Sequence, residues 1–207
     1  MPNKTTQKPS RADVINLACV RIKARSYLEI GVQTGKTFEA IDVVDKIGVD
    51  PDPYSLATLH ITSDMFFQLN QRQYDVIFVD GLHHAEACYK DIRNALVCLN
   101  EGGIILVDDL VPTIEAHQTR QPSHIHWTGD VWKAWFRICS ELDSEYECFI
   151  VDAAFGVGVI QKRSDSVAIS DTRIWNFDNM DWNAYLKYKH LYHNVISINE
   201  LYEKWAT

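Results

Sequence analysis

The stretch from Tyr74 to Asp80, YDVIFVD, limits more than any other what this chain can fold into. It is a near-continuous run of β-branched and aromatic residues without apolar–polar alternation, which predicts a strand buried on both faces. Ile104 to Asp109, IILVDD, repeats the pattern. Strands covered on both sides belong to parallel sheets whose crossover helices pack above and below. The chain between the two agrees. AEACYKDIRNALVCLN places Cys88, Ile92, Ala95, Leu96 and Leu99 on one helical stripe, and Glu101-Gly102-Gly103 then breaks it.

The same reading extends in both directions. VINLACVRI has helical spacing, SYLEI is a short strand ending at Gly31, TFEAIDVV reads as a helix and KIGVD as a second strand. GDVWKAWFRICSEL is a helix, and YECFIVD and FGVGVIQK lie too close together for a parallel crossover, so they form an antiparallel hairpin. WNAYLKYKHLY and SINELYEKW read as two outer helices, with Trp175, Trp182 and Trp205 as packing or dimer-surface aromatics. The predicted fold is therefore α/β: a Rossmann-like, doubly wound, mostly parallel seven-stranded sheet with a C-terminal antiparallel hairpin and flanking helices. We expect one domain over 1–207, with a polar, flexible tail over 1–11, the core over 12–162 and a helical extension over 163–207.

Charge narrows the partners. With 20 Lys and Arg against 28 Asp and Glu, the net charge of -8 disfavours nucleic acid and anionic membrane surfaces. No apolar run is long enough to span a bilayer, and MPNKTTQKPSR is too polar for a signal peptide, so a cytoplasmic location is expected. The five cysteines form no CxxC pair and read as reduced core residues.

Gly31 to Thr37, GVQTGKT, looks like a phosphate loop, but only Val32, Gln33 and Thr34 separate its glycines where four residues are needed. Glu29, at the strand end before it, would repel a triphosphate. The dinucleotide fingerprint requires a glycine where Gln33 stands. What remains is an acidic strand end, a two-glycine loop, a helix, and Asp50 ending the next strand. Two carboxylates at neighbouring strand ends suit a cofactor with an ammonium group and a ribose diol but no pyrophosphate, and S-adenosylmethionine has that chemistry.

Taken together, YLEIGVQTGKTFEAI, IGVDPDP, TSDMFF, YDVIFVDGLHHAEACYKDIRNAL and EGGIILVDDLVP resemble a class I S-adenosylmethionine-dependent methyltransferase, and within that class methyltransferase family 24, similar to sugar and small-molecule O-methyltransferases. The resemblance runs from about Ser26 to Lys162. It implies that Glu29, Gly31 and Gly35 line the methionine and ribose end of the cofactor, that Asp50 accepts from the ribose hydroxyls, and that Ser63 and Asp64, after an expected third strand, flank the adenine. A homodimer is common among such relatives.

Asp80, Asp108 and Asp109 close two neighbouring strands at the edge where open α/β sheets bind ligands. Three gathered carboxylates call for a cation, and Mg2+ prefers such oxygen ligands. Metal-dependent O-methyltransferases resemble this spacing, which implies a metal set of Asp80, Asp108 and Asp109. His83 and His84 follow Asp80 and are candidate bases for deprotonating an acceptor hydroxyl, with Asp80 beside them. The long polar connection after Pro112 is expected to form a lid, with His126, Trp127, Asp130 and Lys133 as candidate contacts to a small acceptor such as a sugar or diol. Two other readings stay open: a cofactor-binding protein without chemistry, and an NAD-linked oxidoreductase.

Overall fold

Alternating buried strands and amphipathic helices produce one seven-stranded sheet in the computed structural model, which describes residues 8–142, 145–163 and 176–206. The strands are β1 (Ser26–Ile30), β2 (Asp45–Val49), β3 (Tyr74–Val79), β4 (Leu99–Val107), β5 (Tyr146–Val151), β6 (Val157–Lys162) and β7 (Val195–Ile196), in the spatial order β2-β1-β3-β4-β6-β5-β7. Only β6 runs against its neighbours; it pairs antiparallel with both β4 and β5, while the other pairings are parallel. The sheet and its hairpin are as expected from the sequence.

Helices cover both faces. Alternate residues of the central strands point to opposite sides, so Leu28, Ile77, Val79, Ile105 and Val107 pack under α4 (Ala85–Val97), α5 (Trp132–Leu142) and α6 (Trp182–Tyr192). Tyr27, Val76, Phe78, Ile104 and Leu106 pack under α1 (Arg11–Ile22) and α7 (Ile198–Ala206). Trp182 stacks on Tyr185 with ring centroids 5.0 Å apart, and Trp205 is buried with its indole N–H donating to Gln161, so both pack against the domain. Trp175 lies outside the described residues. Cys19, Cys88 and Cys98 are buried thiols, as the sequence suggested. Among the described residues, no helix is long and apolar enough to cross a membrane.

Three boundaries differ from expectation. The third strand expected before Ser63 shrinks to a single bridge between Val49 and Leu59, because the chain from Asp50 to Ile61 is otherwise bends and turns before Thr62 caps the short helix α3 (Ser63–Leu69). The seventh strand comes instead from the C-terminal extension: β7 pairs with β5, so that extension is not purely helical. Of the tail expected over 1–11, residues 8–11 are held in place, and 1–7 lie outside the described residues. Ser10 and Asp13 form a capping box that starts α1 at Arg11. Lys8 and Pro9 bind the β5–β6 turn through Lys8 Nζ to the Ala154 carbonyl at 2.7 Å and Ala154 N–H to the Pro9 carbonyl at 3.2 Å. The helix read from TFEAIDVV is also shorter, α2 spanning Lys36–Ala40.

Gly31 shows how closely β1 and β3 converge. Its φ is +88°, and a Cβ there would fall 1.9 Å from the Asp80 carbonyl oxygen. Gly102 has a similar φ of +74° but open space around it. Gly102→Ala is thus expected to cost about 1 kcal/mol from backbone strain alone, and Gly31→Ala about 3 kcal/mol or more because strain and clash combine. Urea midpoints of the two variants check this; equal shifts would show that the close approach is not a constraint.

Candidate active site

The C-terminal ends of β1, β2, β3 and β4 open into one cleft of about 1540 Å³. That exceeds the usual volume of roughly 300–1,000 Å³ for a single ligand and suits a nucleoside cofactor together with an acceptor. Glu29, Gly31, Asp50, Ser63, Asp64, Asp80, His83 and Asp109 all line it, so the topology brings most of the sequence-predicted site together.

Asp50 is tied to the glycine loop. Its Oδ2 accepts from the backbone N–H groups of Val32 at 3.0 Å and Gln33 at 2.8 Å, and its Oδ1 accepts from Asp52 N–H at 2.9 Å. Gln33 itself adopts a left-handed backbone, φ 49°, which turns its amide toward that carboxylate. A carboxylate oxygen has two lone pairs, so Oδ1 retains acceptor capacity. Gly35, with φ +75°, starts α2 as its N-cap and does not line the cleft; a Cβ there would meet Leu56 at 2.9 Å.

Glu29 is almost fully buried, and Tyr27 donates its hydroxyl to Oε2 at 2.5 Å. Burial pushes the Glu29 carboxyl up to about 8, although the Tyr27 bond acts the other way. Ser63 lines the cleft just after the cap, which Thr62 provides. Asp64 pairs with Lys90 at 2.6 Å. Beneath them lies a buried carboxyl that the sequence reading passed over, Asp91. Burial raises it to about 6 despite a hydrogen bond from Ser63.

At the next two strand ends the predicted residues separate. His83 lies between two carboxylates, Nε2 at 3.4 Å from Asp80 Oδ1 and Nδ1 at 3.3 Å from Asp109 Oδ2. Nδ1 also lies 3.2 Å from the Trp127 carbonyl, and the two rings stack at 5.0 Å. Burial alone would lower the imidazole, but the Asp80 hydrogen bond and the Asp109 charge outweigh it and raise His83 to about 9. Asp109 holds a left-handed backbone at φ 62°, which turns its carboxylate toward His83, and burial followed by the Asp80 charge raises it to about 6. His84 points away, Nε2 lying 3.0 Å from the Arg120 carbonyl, and does not line the cleft. It starts α4, but the cap is Asp130, whose Oδ1 accepts from Ala85 N–H at 2.9 Å. Asp130 is therefore buried structure, with Lys133 paired to it at 3.4 Å, and neither lines the cleft. Of the expected lid contacts, His126 and Trp127 do.

The other missed residue is Arg11. Its Nη1 lies 2.5 Å from Asp80 Oδ2 and 2.6 Å from Asp108 Oδ2. Asp108 is buried; burial and the charges of Asp109 and Asp80 raise it well above the usual carboxylate range, against the pull of Arg11. The sequence did carry a signal here. An arginine directly after a serine cap stands at the positive end of a helix dipole, where a cation is unfavourable unless carboxylates face it.

A family model described as a methyltransferase domain, that of family 24, matches residues 28–110. The match covers less than half of the chain and spans β1 to the end of β4. A methyltransferase of Podospora anserina, solved with S-adenosylhomocysteine bound, is 17% identical with a TM-score of 0.54, over 74% of this chain and 78% of that one. An O-methyltransferase of Bacillus cereus, also in complex with S-adenosylhomocysteine, is 16% identical with a TM-score of 0.51, over 78% and 84%. The O-methyltransferase of tomaymycin synthesis from Streptomyces achromogenes, in complex with S-adenosylmethionine, is 14% identical with a TM-score of 0.52, over 73% and 79%. None of the curated proteins matches the chain. The resemblance to class I S-adenosylmethionine-dependent methyltransferases thus holds for the fold and for the matched domain.

In this cleft the donor set differs from the one the sequence implied. Asp80, His83 and Asp109 bring ligand atoms within 4.8 Å of one another, whereas Asp108 faces Arg11. A three-carboxylate magnesium site does not fit, because the guanidinium already bridges two of its three members and an imidazole lies between the other pair.

Glu29 gives a signed pH dependence. A carboxyl raised on folding binds its proton more tightly in the folded state, so its stabilisation is complete below about 4.5 and is lost as pH rises through about 8. The Tm of the unliganded protein is expected to fall more steeply between these values than that of Glu29→Gln, which keeps an acceptor for Tyr27. Thermal unfolding across pH checks it; parallel curves would exclude the shift.

Proposed function

We propose that this methyltransferase moves the methyl group of S-adenosylmethionine to a hydroxyl oxygen of a small polar acceptor, such as a sugar or another diol. The observation that carries the reading is His83, an imidazole inside the cleft, held between two carboxylates beside the glycine loop. S-adenosylmethionine supplies an electrophilic methyl group on a sulfonium sulfur. Glu29 faces its methionine end, where an approaching ammonium ion favours the charged carboxylate; Asp50 accepts from the ribose hydroxyls; Ser63 and Asp64 flank the adenine side.

His83 takes the acceptor proton. The Trp127 carbonyl and Asp109 keep a proton on Nδ1, which leaves the Nε2 lone pair as the base in the neutral ring. As the acceptor oxygen bonds to the methyl carbon, the carbon–sulfur bond breaks, the O–H proton passes to Nε2, and a neutral thioether and a methyl ether result. Asp80 and Asp109 then hold the imidazolium, and Trp127 and His126 screen the site from water.

Calorimetric titration with S-adenosylhomocysteine tests the reading first, with micromolar or tighter binding expected. No binding would overturn it, and NAD would be titrated next. Binding with no turnover across a panel of sugars and diols would favour a cofactor-binding protein without chemistry. Because His83 is raised to about 9, it is largely imidazolium at neutral pH, so kcat/KM should rise with pH and level off above about 9. His83→Gln should lower kcat by about 10²–10⁴-fold while S-adenosylhomocysteine affinity holds. A pH-independent rate in the unaltered enzyme would remove His83 from the base role.

A further inference from the structure

The acidic strand ends that would hold a metal in a metal-dependent enzyme are engaged by a side chain of this chain. One nitrogen, Arg11 Nη1, reaches Asp80 Oδ2 on the β3 end and Asp108 Oδ2 on the β4 end. It thus joins two strand ends through one atom, as a bridging cation would. We propose that the Arg11 guanidinium is the resident cation of this edge, and that it excludes a divalent metal and makes methyl transfer here metal-independent.

Three observations show that Arg11 is placed rather than incidental. The segment before it is fastened to the far side of the cleft by Lys8, which pairs with Asp152 at 2.7 Å and donates to the Ala154 carbonyl, and by the Pro9–Ala154 backbone bond. The capping box of Ser10 and Asp13 then fixes the start of α1, so Arg11 leaves the helix at its first position and points over the strand ends. Finally, Asp108 is buried, and among the described residues neither of its oxygens has a well-directed hydrogen bond, so the ion pair is its main charge partner. A guanidinium stays protonated across the working pH range, so no accessible pH empties the position for a metal. The carboxylate that remains, Asp109, is engaged by His83 instead. Arg11 is accordingly a positioning residue: from the cleft wall it holds Asp80 where it can meet His83.

The test is Mn2+ titration followed by the electron paramagnetic resonance of the free ion, with S-adenosylhomocysteine present. The unaltered protein is expected to leave the Mn2+ signal undiminished up to millimolar concentration, and its activity to survive EDTA. Arg11→Ala should bind Mn2+ about tenfold or more tightly than the unaltered protein, since the freed carboxylates need a cation. Arg11→Lys, which keeps a cation, should still exclude it; this arm holds if the alanine variant fails to fold, as judged by near-ultraviolet circular dichroism. Micromolar Mn2+ binding by the unaltered protein, loss of activity in EDTA, or an Arg11→Ala variant that folds and binds Mn2+ no better would each overturn the proposal. The inference rests on the methyltransferase reading only for its activity arm. Absence of S-adenosylhomocysteine binding would defeat that reading, while the Mn2+ arms would still report on Arg11.

Discussion

Strands β1, β3 and β4 are covered by helices on both faces, so their ends are where polar side chains can gather into the cleft. Glu29, Asp80, Asp108 and Asp109 all stand at the C-terminal edge of these strands. Carboxylates crowded against an apolar sheet are tolerable only if cations or shared protons compensate them. Much of the cleft's arrangement follows from that demand. Arg11 joins Asp80 to Asp108, His83 joins Asp80 to Asp109, and Tyr27 supports Glu29.

Compensation also explains why distant segments converge on one site. The β5–β6 turn anchors the residues that deliver Arg11, and Asp130 caps α4, which starts two residues after His83. Gly129, at φ +63°, brings the end of the connection after Pro112 so close to His83 that a Cβ there would fall 1.8 Å from the His83 carbonyl oxygen. The end of this connection and His83 are thus one packed unit, with Trp127 stacked on the imidazole. In such a site the pKa of His83 reports on its two carboxylates as much as on the ring itself.

The strands were legible because burial on both faces leaves a composition that few other structures share, and YDVIFVD and IILVDD have it. The acidic residues were legible because each directly follows such a run. The seventh strand was not: β7 has two residues, and its pairing with β5 depends on where α6 ends. The strand expected before Ser63 failed for a related reason, since the chain from Asp50 is consumed by turns that tie Asp50 to its own loop.

What the sequence by itself determined is the α/β order, the glycine loop and the line of carboxylates at the strand ends, because local periodicity and strand-terminal position are one-dimensional facts. Only the tertiary structure decided which carboxylate meets which cation. Arg11 and Asp80 are 69 residues apart in the chain, and their contact depends on the anchoring of residues 8–10 on a turn more than 140 residues further on, as the Lys8–Ala154 separation of 146 shows. Likewise only the folded chain separates His83 from its neighbour, His83 meeting the Trp127 carbonyl and His84 the Arg120 carbonyl, and makes Asp130 the cap of α4. Charge pairing at a shared edge depends on distances in space, and those are set by packing across the whole sheet rather than by the order of residues along the chain.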